Sequence, residues 1–318
     1  MHKDIPPEEE EYLRDNDVTY YEVDFVECDE GAVGGRGGGN IRGRCARGLE
    51  GLTLEWGRFE MARQWLEACR ECTGWALVAD TRDLFFQAHP FRALPPPDAA
   101  PHDLLFVEEI SSHASLQPAA HRWYDIGANG RYKGHTEPCY GRDHWRAFAD
   151  RPVLCSGTVV GTRAGMTRFL SVLVDEFYAA SRSANVKCKS PHATDQWDMN
   201  YLYYSGRFGR YDRTRTLPWG TGPVYTIGHA CVNTKADPPH SQRDQIEFDA
   251  EGRILNNHER EGSPARVAPA VHQYDRCHRW IVHWFRDHPE MFATKPELPW
   301  RQGKENNERT MTAARRDR

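Results

Sequence analysis

The chain has 318 residues, of which 27% are charged and 11% aromatic, with ten tryptophans and a formal charge of −5 at a pI near 6.3. Such a length and composition suit a folded domain with a sizeable core and exclude fibrous and disordered classes. Lys and Arg are scattered among 46 carboxylates, which argues against a dedicated nucleic-acid or anionic-membrane surface.

Taken in chain order, residues 7–14 read as a short acidic helix start. VTYYEVDFVE (18–27) reads as a strand by its β-branched and aromatic content. The N-terminal MHKDIPPEEEEYLRDND lacks the apolar stretch of a secretory signal, and no run reaches the ~18 apolar residues of a bilayer span. A Gly-rich stretch at 31–48 has no G-x-G-x-x-G register opening a helix, so it reads as a surface loop. From Arg58 the apolar positions Phe59, Ala62, Trp65, Leu66 and Cys69 predict an amphipathic helix ending near Gly74. Trp75 to Ala79 is apolar without alternation, as a central parallel strand covered on both faces would be, and it stops at Asp80.

LPPPDAAPHD (94–103) is a turn region before a second apolar run, LLFV (104–107), closed by Glu108 and Glu109. A third strand, VLCSGTVVG, leads into a helix over about 164–181 whose apolar face carries Met166, Phe169, Leu170, Leu173, Val174 and Phe177. Strand and helix alternate, which predicts an α/β fold with a mixed, mostly parallel central sheet flanked by helices. A single domain over 1–300 is expected, followed by a disordered charged tail at 301–318. Nine cysteines without dense spacing read mostly as buried thiols. The Cys69-x-x-Cys72 pair has no second pair to complete a zinc site.

Three segments carry chemistry. WALVADTRDLFFQAHPF (75–91) sets two carboxylates at the end of a buried strand, where open α/β sheets bind ligands. Asp80 and Asp83 are of the type that holds a divalent cation bridging a diphosphate; equally, Asp80 would cap the turn and Asp83 pair with a surface Arg. Arg82 either helps neutralise a diphosphate or braces the two carboxylates. In ATDQWDMNYLYY (193–204), Asp195 and Gln196 open a helix, with Asn200 on the same face as Gln196. These groups suit the orientation of sugar hydroxyls, or a plain helix cap. In APAVHQYDR (268–276), His272 is either a distant imidazole completing a carboxylate metal site or a hydrogen-bonded structural residue.

The ordered series VADTRDLFFQAHPF, LCSGTVVGT, TDQWDMNYL and VHQYDR resembles GT-A glycosyltransferases that use nucleoside-diphosphate sugars, in particular a D-x-R-D-x-x-F-Q group of eukaryotic and viral proteins. The resemblance covers residues 55 to 285. It implies a Rossmann-like GT-A fold, with Mn²⁺ (or Mg²⁺) held by Asp80, Asp83 and His272. It implies that Ser156 and Gly157 line the sugar or acceptor pocket, and that Asp80, Arg82, Ser156, Gly157 and Asn200 bind the nucleotide-sugar. Asp195 and Gln196 would sit at the anomeric carbon, an arrangement similar to retaining families.

The implied reaction moves a sugar, with a UDP-sugar as donor, to a hydroxyl on a glycan or glycoprotein. A secretory-pathway lumen is the implied setting. Two departures stand: D-T-R-D replaces D-x-D, and the family's first nucleotide-binding strand is not found ahead of residues 7–14. The competing readings are a non-catalytic sugar- or protein-binding module and a metal-dependent phosphoesterase or nucleotidyltransferase.

Overall fold

The computed structural model describes residues 11, 14, 15, 18, 23–28, 44–80, 83–109, 131–148, 151–189, 195–209, 213–228, 246–256 and 266–274. The tail at 301–318, Arg82 and most of the Gly-rich stretch lie outside the described residues. Two compact units are present. One comprises residues 1–22 and 282–318, in which Glu11, Arg14 and Asp15 are helical. The other, Val23–Ile281, carries every strand and helix discussed below.

The larger unit is mixed α/β. Two short strands, β1 (Phe25–Glu27) and β2 (Arg44–Ala46), pair antiparallel ahead of helix α1 (Leu54–Ala68). Next come β3 (Trp75–Ala79), β4 (Leu84–Phe86) and β5 (Leu104–Glu108), then helices α2 (Arg131–Tyr140) and α3 (Arg142–Phe148). Strand β6 (Leu154–Thr162) runs directly into α4 (Arg163–Ser181) because its last residue, Thr162, accepts a hydrogen bond from the Gly165 N–H and so caps the helix. Helix α5 (Asp195–Tyr204) precedes β7 (Thr214–Leu217), β8 (Val224–Thr226), β9 (Leu255–Asn256), β10 (Arg266–Val267) and β11 (Ala270–His272).

The main sheet has the order β3-β6-β5-β7. Strands β3, β5 and β7 point the same way, but β6 is threaded antiparallel between β3 and β5, and only β5 and β7 pair in parallel. The expected mostly parallel sheet therefore holds for strand direction and not for the ladders. Apolar runs report burial and leave pairing direction open.

A second correction concerns Trp75–Ala79. It forms a strand as expected, but β3 lies at the sheet edge with all five residues half-buried, whereas every residue of β5 and β6 is buried. The run is apolar because its two faces still meet apolar neighbours: Ala76 and Val78 pack on the helix side, Trp75 and Leu77 on the other.

Alternation along β5 and β6 divides the core. Leu104, Phe106 and Val159 face α1, α4 and α5, where Trp56 stacks on Phe177 at 4.7 Å and Phe169 lies edge-on to Phe106. Leu105, Val107 and Val160 face Val224 and Ala270 of a second sheet, ordered β4-β11-β8. In it β11 is antiparallel to β4 and parallel to β8, which sets His272 opposite both Leu84 and Thr226. The Arg163 guanidinium donates to the carbonyls of Leu66, Glu67 and Arg70, closing the C-terminal end of α1.

The expected buried thiols are overturned for six cysteines. Disulfides join Cys28 to Cys45, Cys69 to Cys72 and Cys139 to Cys188, and among the described residues only Cys155 is a free thiol. Sequence spacing misses these pairs because two of them join segments brought together only by folding. No helix among the described residues is long and apolar enough to cross a membrane.

Candidate metal centre

The common carboxyl-terminal edge of β3 and β5 is also the amino-terminal edge of β6, since the strands alternate in direction. Asp80 follows β3, Glu109 follows β5, and Cys155, Ser156 and Gly157 lie at the start of β6. Backbone bonds from Asp80 N–H to Gly157 O (3.1 Å) and from Glu109 N–H to Val153 O (2.8 Å) extend the ladders to this edge. Asp83 immediately precedes β4 and His272 closes β11, so the second sheet delivers a carboxylate and an imidazole to the same place.

Asp80, Asp83 and His272 each offer a ligand atom, and these atoms lie within 4.8 Å of one another. Asp83 and His272 are 4% and 1% exposed, Asp80 half-buried. His272 Nε2 lies 3.5 Å from Asp83 Oδ1 and is buried without a hydrogen-bond partner. A Cβ on residue 157 would fall 2.7 Å from Asp80 Oδ2, so glycine at this point clears the space between the groups. Two hard carboxylates and one imidazole are a donor set for Mn²⁺ or a similar divalent cation, and the enclosed, unbonded Nε2 fits such an ion.

The backbone around the centre is tied down. Gln273, the one non-glycine with positive φ among the described residues (61°), turns the chain after His272. Its N–H thereby reaches the Asp83 carbonyl at 2.7 Å, joining the segments that carry two of the three ligand groups. Its side-chain amide donates toward the buried Glu109 carboxylate at 3.4 Å. Behind the imidazole, Cys155 is buried, and burial, reinforced by the Glu109 charge, holds its thiol well above the usual range.

Sequence spacing marks Arg58 only as part of a helix, yet in the structure it links the site together. Its guanidinium pairs with both Asp80 and Asp195, joining β3 to the first residue of α5. Burial raises the Asp195 carboxyl above its ordinary value, and the Asp80 charge adds to this while Arg58 opposes it. The signal for Arg58 was faint because an arginine on an amphipathic helix is ordinarily a solvated residue.

Other expected site residues separate by role. Ser156, Asp80 and Arg58 line a pocket of about 270 Å³, with Phe59, Leu77 and Met166 among its apolar walls. Gly157 adjoins it beneath the ligand groups. Asn200 is fully buried and its amide is committed to the fold: Oδ1 accepts from Leu154 N–H at 2.8 Å, and Nδ2 donates to Leu154 O and Gln196 O. This corrects its expected place among nucleotide-binding groups. The Gln196 amide donates to Leu154 O at 3.0 Å, so it too ties α5 to β6. Arg82 lies outside the described residues.

No family model, curated protein or solved structure matches the chain.

Proposed function

We propose that this chain is a metal-dependent glycosyltransferase of GT-A type that moves a sugar from a nucleoside-diphosphate donor, a UDP-sugar, to a hydroxyl of a glycan or glycoprotein. The observation carrying this reading is the convergence of Asp80, Asp83 and His272 at one sheet edge, around a glycine that leaves room for an ion. Strand order also supports it, since an antiparallel β6 between β3 and β5 brings two strand ends and one strand start to the same edge.

In the reaction, the bond from the anomeric carbon to the diphosphate oxygen breaks with its electron pair leaving on the diphosphate. A bond to the acceptor oxygen forms, and the acceptor proton passes to the departing diphosphate oxygen. Asp80, Asp83 and His272 would hold a divalent cation, Mn²⁺ or Mg²⁺, which when bound supplies positive charge to the leaving diphosphate. Arg58 keeps Asp195 beside the metal ligands and neutralises part of their charge. Asp195 is then the carboxylate offered to the sugar, in keeping with a retaining course, while Gln196 positions it through α5. The three disulfides favour an oxidising compartment such as the secretory lumen.

The test is UDP or GDP release from a panel of nucleotide-sugars with Mn²⁺ present. Sugar-dependent diphosphonucleoside release that Asp83→Asn removes is expected; release of inorganic phosphate or pyrophosphate would instead indicate a phosphoesterase or nucleotidyltransferase. One observation favours a second reading, a non-catalytic sugar- or protein-binding module: among the described strands none pairs with the outer edge of β3, where a nucleotide-binding half-sheet would continue. Absence of any thermal stabilisation by UDP with Mn²⁺ would select that reading.

A further inference from the structure

The two nitrogens of His272 face different surroundings. Nδ1 has two neighbours at 3.5 Å, Thr226 Oγ1 and Cys155 Sγ. Nε2 is enclosed, makes no hydrogen bond, and faces the carboxylate side of the centre. A neutral imidazole carries one N–H, and the proton resides where an acceptor can take it. Thr226 Oγ1 is such an acceptor. Cys155 Sγ is a far weaker acceptor than a hydroxyl oxygen, which leaves the threonine as the main partner of Nδ1.

Thr226 is also rigidly placed. It lies opposite His272 in the parallel β8/β11 register and is 1% exposed. Its carbonyl accepts the Trp219 indole N–H at 2.7 Å, and the next residue, Ile227, donates its N–H to His272 O at 3.0 Å. Both partners are therefore fixed before any ligand arrives.

Resting on the cation reading above, we infer that Thr226 is a positioning residue that holds His272 as its Nδ1–H tautomer and so directs the Nε2 lone pair at the cation. With the proton on Nδ1, a lone pair and the Asp80 and Asp83 carboxylates face one another in a buried space. That arrangement is repulsive with nothing between them and favourable around a divalent ion. Cys155 Sγ, buried and 3.5 Å from Nδ1, packs beside Thr226 against the same side of the ring. Thr226 is thus to the imidazole what an outer carboxylate is to other metal-bound histidines: it selects the nitrogen that binds.

The full chain, labelled with ¹⁵N at histidine, tests this without turnover. In the metal-free wild type at mildly alkaline pH, the ¹⁵N shifts should show the Nδ1–H form of His272. Thr226→Val, nearly isosteric, should lose that preference and bind Mn²⁺ roughly 10- to 100-fold more weakly, read by titration of the protein with Mn²⁺ alone. Thr226→Ser should restore both.

An Nε2–H tautomer in the wild type overturns the inference whether or not Mn²⁺ binds, as does a folded Thr226→Val protein with wild-type Mn²⁺ affinity. If Thr226→Val does not fold, the wild-type spectrum and the Thr226→Ser affinity decide. A wild type with Nδ1–H that takes up no Mn²⁺ at millimolar concentration overturns the cation reading, and the positioning role with it, while the tautomer itself stands.

Discussion

Gly157 and His272 are packed so closely that a β-carbon added to the glycine would lie 2.9 Å from the imidazole Nε2. The same carbon would meet Asp80 Oδ2 at 2.7 Å, so one methyl group would press on two of the three ligand groups at once. Gly157→Ala is expected to destabilise the fold by about 2 kcal/mol, the usual range for overpacking, and to abolish stabilisation by Mn²⁺. Thermal scans with and without Mn²⁺ check this; a variant that responds to the ion like the wild type would show that the glycine is not kept for the site.

The ligand groups should differ in their importance. Asp83→Asn removes a charge buried to 4% exposure and should eliminate Mn²⁺-dependent UDP stabilisation while the apo protein stays folded. His272→Ala should weaken it less, since water and phosphate oxygens fill a vacated position on such ions. Isothermal titration with Mn²⁺ ranks the two, and equal affinity for wild type and His272→Ala would remove the imidazole from the site.

Arg58 offers a test of charge pairing. Arg58→Ala strands the mostly buried Asp195 carboxylate near Asp80. The expected cost is about 3 kcal/mol, the low end for a broken buried pair, because the guanidinium is 38% exposed. Adding Asp195→Asn should recover part of that loss. Additive denaturation free energies in the double variant would mean the two side chains act independently.

A pH effect is expected away from the site. The half-buried Glu176 carboxyl is raised above its ordinary value first by burial and then by the Asp198 charge, against the opposing effects of Arg207 and Tyr140. A folded-state value above the unfolded one favours the protonated form. Its stabilisation is thus complete below the unfolded carboxylate range, about pH 4.3, and lost as pH rises through the raised value. Glu176→Gln, neutral throughout, should gain in Tm over the wild type as pH goes from about 4 to about 7. A Tm difference that does not change with pH would sink this account.

The disulfides should contribute unequally. Cys139–Cys188 spans 49 residues and Cys69–Cys72 only 3. On loop entropy alone, the longer bridge is worth about 4 kcal/mol and the shorter about 1.6 kcal/mol. Replacing both cysteines of one pair by serine and comparing Tm values checks the order; a larger loss from the 69–72 pair would point to a local role at the end of α1.

Much of the fold was legible where burial alone dictates sequence. Trp75–Ala79, the strands near 104 and 154, and the helix on Arg163–Ser181 fall close to where apolar spacing puts them. Pairing direction was not legible, because β6 would be equally apolar in either orientation. Helix α1 begins at Leu54 rather than Arg58 and ends at Ala68, since Cys69 leaves helical geometry as its N–H closes on Trp65 O. In the site, Asp80, Asp83 and His272 were legible through chemistry and resemblance, and they do come together. Asn200 looked like a ligand group for the same reason that it serves the fold: an amide on the inner face of a helix must bond something, and here it bonds the strand backbone. Arg58, Thr226 and Cys155 do not stand out in the sequence because their significance lies in contacts between segments distant along the chain.

His272 reaches the aspartates from the opposite end of the described chain, on a short strand that must slot between β4 and β8. A partly folded chain therefore owns the carboxylates without the imidazole and has only a weak grip on any passing ion. If the three groups hold an ion as proposed, tight uptake would require β11 in place, and the ion would act as a latch on that strand: its signature in kinetics would be an unfolding rate that falls with Mn²⁺ while the folding rate stays unchanged.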